Sequence, residues 1–303
     1  MNTFLAILTY FAYCFIIGAY TVKIVKYLRL PTHLRWELYP VIHEEKYAYG
    51  GSYFEKKEWW NEEKQKRYVR GILYLLKEYF TLGDYLTRNV LYWLGLFPWH
   101  IGFILIITFH ILCFFGALFM VLEFTISPGS PDLWGRILFY AILITGIVSF
   151  IAGTVGSIFI IINRIIDKSL RTYATPLNFL MYIFTLVVFI SGLYSWYFID
   201  PDMKEYREFW KGLITFHFVG VDVGTMVHII LFDLFLIYLP FTRSLHYITR
   251  LFAFFLIRWD DEPNRRGSKL EKRLIKNLNQ KVGWQGPHIG AGRSWNELAR
   301  YDR

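Results

Sequence analysis

The chain has 303 residues, of which 55% are hydrophobic and 19% charged, against about 25% charged in ordinary soluble domains. With a mean hydropathy of +0.32 and 20% aromatic residues, this excludes a disordered chain and a secreted disulfide scaffold and defines an integral membrane protein. Cys14 and Cys113 lie in apolar runs with no CxxC or CxxCH pattern, which excludes a cysteine-held zinc or iron–sulfur site and a covalently attached haem.

Crossing about 30 Å of hydrocarbon takes roughly 20 apolar residues in a helix. Five segments qualify: residues 4–22, 101–122, 137–162, 177–198 and 219–239. The last is followed, past Pro240, by a further apolar stretch over 245–257, either a continuation kinked at the proline or an interfacial piece. Residues 73–96 are aromatic but broken by Lys77, Glu78, Asp84 and Arg88, which predicts an amphipathic helix lying in the interface. The sequence thus predicts an all-α, five-span membrane bundle (1–257, with a loop over 23–96) and a tail over 258–303.

Charge sets the orientation. Lys and Arg number 13 in 23–92 and 13 in 243–303, but 1 in 123–136 and 3 in each of 163–175 and 199–211. The positive-inside rule predicts a cell-membrane protein with its first loop, third loop and C-terminus cytoplasmic and its N-terminus outside. Lys23 and Lys26 follow the first apolar segment, the wrong polarity for a cleaved signal, so that segment reads as a retained span. The net charge of +9 fits anionic lipid and soluble partners rather than nucleic acid.

Five of the eight histidines fall in or beside spans: His100 and His110 on the second, His217, His228 and His246 on or flanking the last. A lone intramembrane histidine can bond a neighbouring carbonyl, but paired histidines on two separate helices point to axial ligands for haem iron. His228 and His246 lie 18 residues apart, on one face about 27 Å apart along an ideal helix; His100 and His110, 10 apart, rise about 15 Å. His217 and His228, 11 apart, match that rise better but leave little room for two stacked macrocycles, so spacing leaves both pairings open.

The stretch Phe97-Pro98-Trp99-His100-Ile101-Gly102, His110, and His228 through Leu239-Pro240-Phe241-Thr242-Arg243-Ser244-Leu245-His246 resembles the di-haem cytochrome b (gamma) subunit of respiratory nitrate reductases. The resemblance implies five spans, an outside N-terminus and two haem b groups, one between His100 and His246 near the cytoplasmic face and one between His110 and His228 towards the outer face. The motifs Leu34-Arg35-Trp36-Glu37-Leu38-Tyr39-Pro40, Tyr49-Gly50-Gly51-Ser52-Tyr53 and Trp59-Trp60 resemble one branch of that family. So do Arg258-Trp259-Asp260-Asp261, Pro263-Asn264, Trp284, Pro287-His288-Ile289 and Ser294-Trp295. This is the DsrM branch, in the Hdr-like menaquinol oxidoreductase complex of dissimilatory sulfite reduction. That branch implies electron exchange between menaquinol and a cytoplasmic iron–sulfur subunit (HdrD/DsrK-like), within a complex that has other membrane and outer-face subunits. The nitrate-reductase relatives place a lysine beyond the second histidine of the second span; here none occurs between His110 and Arg136, so their quinol-site residues do not carry over.

Quinol oxidation needs a proton acceptor, and the outer span ends offer Glu123, His217 and Asp222, of which Glu123 and His217 read equally as ordinary interfacial residues. Arg243 reads either as a clamp on a haem propionate or as an arginine snorkelling from a helix end. Asp233 is too deep to be explained by exposure and has no assigned role; Arg164, Lys168 and Arg171 read as topology determinants. In the tail, 268–278 predicts a helix with Leu270, Leu274 and Leu278 on one stripe, and Trp284 and Trp295 read as anchors for a partner surface, as do Trp36, Trp59 and Trp60. Two other classes compete: a proton- or ion-conducting transport subunit without haem, which lacks visible inverted repeats, and a passive anchor with vestigial histidines.

Overall fold

The computed structural model describes residues 2–29, 68–242, 246 and 265–300. The motifs of the first loop, Arg243, Arg258-Trp259-Asp260-Asp261 and, apart from His246, the 245–257 stretch lie outside the described residues. The described helices are α1 (Asn2–Leu28), α2 (Tyr68–Thr81), α3 (Gly83–Arg88), α4 (Val90–Val121), α5 (Leu133–Ile166), α6 (Lys168–Thr172), α7 (Pro176–Phe198), α8 (Lys204–Thr215) and α9 (Val223–Tyr238), then two helices in the tail. Five are long and apolar enough to cross a membrane: α1, α4, α5, α7, and α9 extended to Phe241 by one 3-10 turn at Pro240. No strand occurs among the described residues, and the protein is an all-helical membrane bundle.

Local signals set where the helices begin. Asn89 accepts the Tyr92 N–H at 3.0 Å and starts α4, which continues through Pro98. Asp167 caps α6, Thr175 and Asn178 form a capping box on α7 with Pro176 in its first turn, and Asp222 caps α9. The single interfacial helix expected over 73–96 is a correction: Leu82, at φ 49°, and Asn89 divide it into the end of α2, all of α3 and the beginning of α4. The second span therefore begins at Val90, not near residue 101. Likewise the last span begins at Val223 rather than 219, because the Asp222 cap fixes its first turn.

Residues 1–19 and 77–242 form one compact unit, and 20–76 with 243–303 form a second. In the first unit, α4 and α5 are held together at very short range by small residues. A Cβ on Gly102 would fall 2.5 Å from Gly153, one on Gly156 would strike the Trp99 backbone, and Ser149 Oγ donates to the Gly102 carbonyl at 2.8 Å. Gly146, Ser149, Gly153 and Gly156 repeat at three and four residues along one face of α5, the pattern that lets membrane helices approach closely. The same face serves α7: Gly153 lies under Phe189, and Phe150 lies over Gly192. Trp99 Nε1 donates to Thr185 Oγ1 at 3.1 Å, tying α4 to α7.

In the second unit the tail helix Lys269–Leu278 starts at Ser268, whose Oγ accepts the Glu271 N–H, and buries Leu270 and Leu274. Backbone bonds from Val282 to Arg293 and from Gly292 back to Val282 fold the segment after it, and a Ser294–Glu297 capping box opens the short helix Trp295–Ala299. Trp284 and Trp295 are exposed.

Candidate functional site

His110 on α4 and His228 on α9 meet inside the first unit. Their ring centroids are 5.7 Å apart with planes inclined by 15°, and the side chains are 5% and 0% exposed. His228 is oriented from behind: its Nδ1 lies 3.1 Å from the Val188 carbonyl and 3.0 Å from Ser191 Oγ, both on α7. A carbonyl only accepts, so Nδ1 carries the proton and the Nε2 lone pair is left available. Nε2 of His228 and Nε2 of His110 are both buried without a hydrogen-bond partner. Two buried nitrogens left unsatisfied side by side are costly unless something coordinates them.

Aromatic rings wall the pair. Phe109 lies 5.0 Å from the His110 ring, Phe150 5.2 Å from His228, and Tyr206 5.7 Å from His228. Phe232, one turn beyond His228, stacks on His110 at 3.7 Å. Tyr206 comes from α8, which closes this end of the bundle; its hydroxyl donates to Ser195 Oγ at 2.9 Å, and Ser195 in turn pairs with Thr225 at 2.9 Å. A cavity of about 10 Å³, enough for one water, adjoins His110, Phe232 and Asp233.

This donor set fits a haem iron, which takes neutral imidazoles from two helices and tolerates an apolar surround. A haem bound here would supply one-electron redox chemistry; His110 and His228 would hold it, the Val188 carbonyl fixes one His228 tautomer, and the wall of rings excludes water.

The other expected site residues are found as follows. His100 is half-buried on α4, and His246 is helical, exposed and belongs to the second unit. Glu123 is exposed just beyond α4, in the left-handed region at φ 67°, and His217 is exposed beyond α8. Asp222 is exposed and serves as a helix cap, where its carboxylate accepts the Gly224 N–H at 2.9 Å and its own N–H donates to Glu205 at 3.1 Å. Asp233, 1% exposed, meets Thr9 of α1.

Three functional-looking residues escaped sequence reasoning. Ser191 and Ser195 are one turn apart on α7, and that spacing in an apolar span was the available signal. Arg207 on α8 is 3% exposed, donates to the Asp202 carbonyl at 2.8 Å, lies 5.6 Å over Phe139 and packs on Gly116. Its burial pushes its pKa down, and burial likewise pushes the neighbouring Asp200 carboxyl up. In sequence Arg207 is indistinguishable from Lys204 and Lys211, the other basic residues of the same helix.

Five apolar helices and a buried imidazole pair with open Nε2 atoms define a membrane protein with a coordination-ready core. Residues 82–260 match the family model described as nitrate reductase gamma subunit, and the chain belongs to that family. The match contains all five span-associated histidines. The protein is accordingly a multi-pass membrane subunit of a redox complex, an electron-transfer subunit of the haem b type. No curated protein and no solved structure matches the chain.

Proposed function

We propose that the chain exchanges electrons between menaquinol or menaquinone and a cytoplasmic iron–sulfur subunit of the HdrD/DsrK kind through two b haems, in a complex of dissimilatory sulfur metabolism. One haem is held by His110 and His228 towards the outer face, the other by His100 and His246 towards the cytoplasm, with Arg243 on a propionate. The orphaned Nε2 atoms of His110 and His228, with Nδ1 of His228 locked on Val188, carry this reading. Quinol is oxidised at the outer haem, with Glu123, His217 and Asp222 as candidate proton acceptors. The first loop and the tail, with Trp284 and Trp295 exposed, dock the iron–sulfur subunit.

A pyridine haemochrome assay on the purified chain tests the core of this reading. Two haems per chain are expected, with one lost in His110→Ala or His228→Ala and the other lost in His100→Ala or His246→Ala. A colourless chain, or full haem retention after both His110 and His228 are replaced, overturns it.

A further inference from the structure

Between α7 and α9 lies a cleft of about 530 Å³, lined by Val187, Ser191, Tyr194, Asp222, Val227 and Leu231 among others. Val187, Tyr194 and Val227 are 43%, 52% and 43% exposed on span helices, so the cleft opens towards lipid. Its lining is mostly apolar, with polar side chains only from Asp222 at the α9 N-terminus, Tyr194 and Ser191. Ser191 is the same residue whose Oγ stands 3.0 Å from His228 Nδ1. The cleft therefore reaches the back of the buried imidazole pair through a single hydroxyl.

The hydrogen bonds of that hydroxyl decide what it can bind. Its proton goes to the Val188 carbonyl at 2.8 Å, and one lone pair shares with that carbonyl the His228 Nδ1–H. A hydroxyl has two lone pairs, so one remains, and it can only accept. An apolar, lipid-accessible slot with one acceptor in its floor suits a flat apolar ring that carries a donating hydroxyl. We propose that this cleft seats the head group of a quinol, its ring between α7 and α9 and its hydroxyl donating to Ser191. The proposal rests on the quinol reading above and gives that substrate a place. Glu123 and His217 do not line the cleft, whereas Asp222 does. Ser191 is a positioning residue for His228 as well as a ligand for the quinol.

The test uses the purified full chain with its haem in lipid nanodiscs. An azido-naphthoquinone is photolysed in place, and the labelled peptides are mapped by mass spectrometry. Label within 187–194 and 223–231, competed away by an alkylated hydroxynaphthoquinone, is expected; label only elsewhere in the bundle overturns the site. Val187→Trp and Val227→Trp fill the cleft and should each raise the Kd of the hydroxynaphthoquinone at least about tenfold, with the haem spectrum unchanged. Leu234→Trp, exposed on α9 but outside the cleft lining, should leave Kd as it is. Ser191→Ala removes one neutral hydrogen bond and should raise Kd about fivefold. Equal Kd in all these variants means that the cleft holds lipid only, and the proposal falls. The two readings fail separately: haem with label elsewhere sinks the cleft alone, and label in the cleft of a haem-free chain sinks electron transfer alone.

Discussion

Thr9 Oγ1 and Asp233 Oδ2 lie 2.6 Å apart, joining the first span to the last inside the bundle. Both residues are buried, and Thr9 also reaches its own Leu5 carbonyl at 3.0 Å. A carboxyl at this depth is expensive and is retained where a neighbouring helix satisfies it. Thr9→Val should lower detergent-phase stability by about 1 kcal/mol, because it leaves the carboxyl short of a partner. Asp233→Asn keeps the bond and should lie within about 0.5 kcal/mol of wild type. Thermal unfolding followed by circular dichroism checks both. A neutral Thr9→Val would show that α1 is held to the bundle without this bond.

The approach of α4 and α5 depends on what α5 lacks. The Gly153 backbone lies where a Cβ on Gly102 of α4 would fall, and a Cβ on Gly153 itself would strike the Phe189 ring, so a larger side chain collides with α7. Gly153→Leu should cost about 3 kcal/mol or more, at the upper end of overpacking effects. Because α7 carries Val188 and Ser191 behind His228, displacing it should lower haem content along with stability. Gly18, which has open space around it, is the control: Gly18→Ala should change neither. Haem absorbance and unfolding midpoints measured on the same preparations separate the two sites.

The five spans were legible because a bilayer requires about 20 apolar residues whatever the helix packs against. Their ends were legible only to within several residues. Asn89 and Asp222 set the real starts through side-chain caps, which the apolar run does not mark. The break at Leu82 left no signal at all, since leucine is an unusual residue for a positive φ. Of the site, the histidines stood out as polar residues in lipid. The residues that shape their surroundings did not: Ser191 looks like any small residue in a span, and Tyr206 and Arg207 look like part of a surface helix until α8 folds over the bundle end.

Asp222 bears two readings that substitution separates. As the α9 cap it accepts the Gly224 N–H, so Asp222→Ala should destabilise by about 1 kcal/mol, while Asp222→Asn keeps an acceptor and should lose only a few tenths. As a proton acceptor it needs the carboxylate itself, so Asp222→Asn should slow haem reduction by quinol although the fold is intact. Stopped-flow reduction of the b haem, set beside the unfolding midpoint, reads both roles. Unchanged reduction in Asp222→Asn, Glu123→Gln and His217→Gln alike would remove all three candidates.

Asp200 makes the stability of the α8 end depend on pH. It is 6% exposed and accepts the N–H groups of Lys204 at 2.8 Å and Glu205 at 2.7 Å at the start of α8. Burial pushes its pKa above 3.8, outweighing those two bonds and the neighbouring Arg207 guanidinium, while the Glu205 carboxylate pushes the same way as burial. The folded protein therefore holds this proton more tightly than the unfolded chain. Its contribution to stability is complete below pH 3.8 and is lost as pH rises through the raised value. Asp167, at the end of α5, has the opposite sign. The Leu170 N–H and Ser169 lower its pKa, so its contribution is present above pH 3.8 and lost as pH falls through the lowered value. Unfolding midpoints between pH 8 and the acid limit of stability should show wild type gaining on Asp200→Asn as pH falls, and losing ground to Asp167→Asn. Parallel curves for wild type and Asp200→Asn would mean that the two backbone bonds offset burial completely and that α8 closes the bundle end without a strained carboxyl.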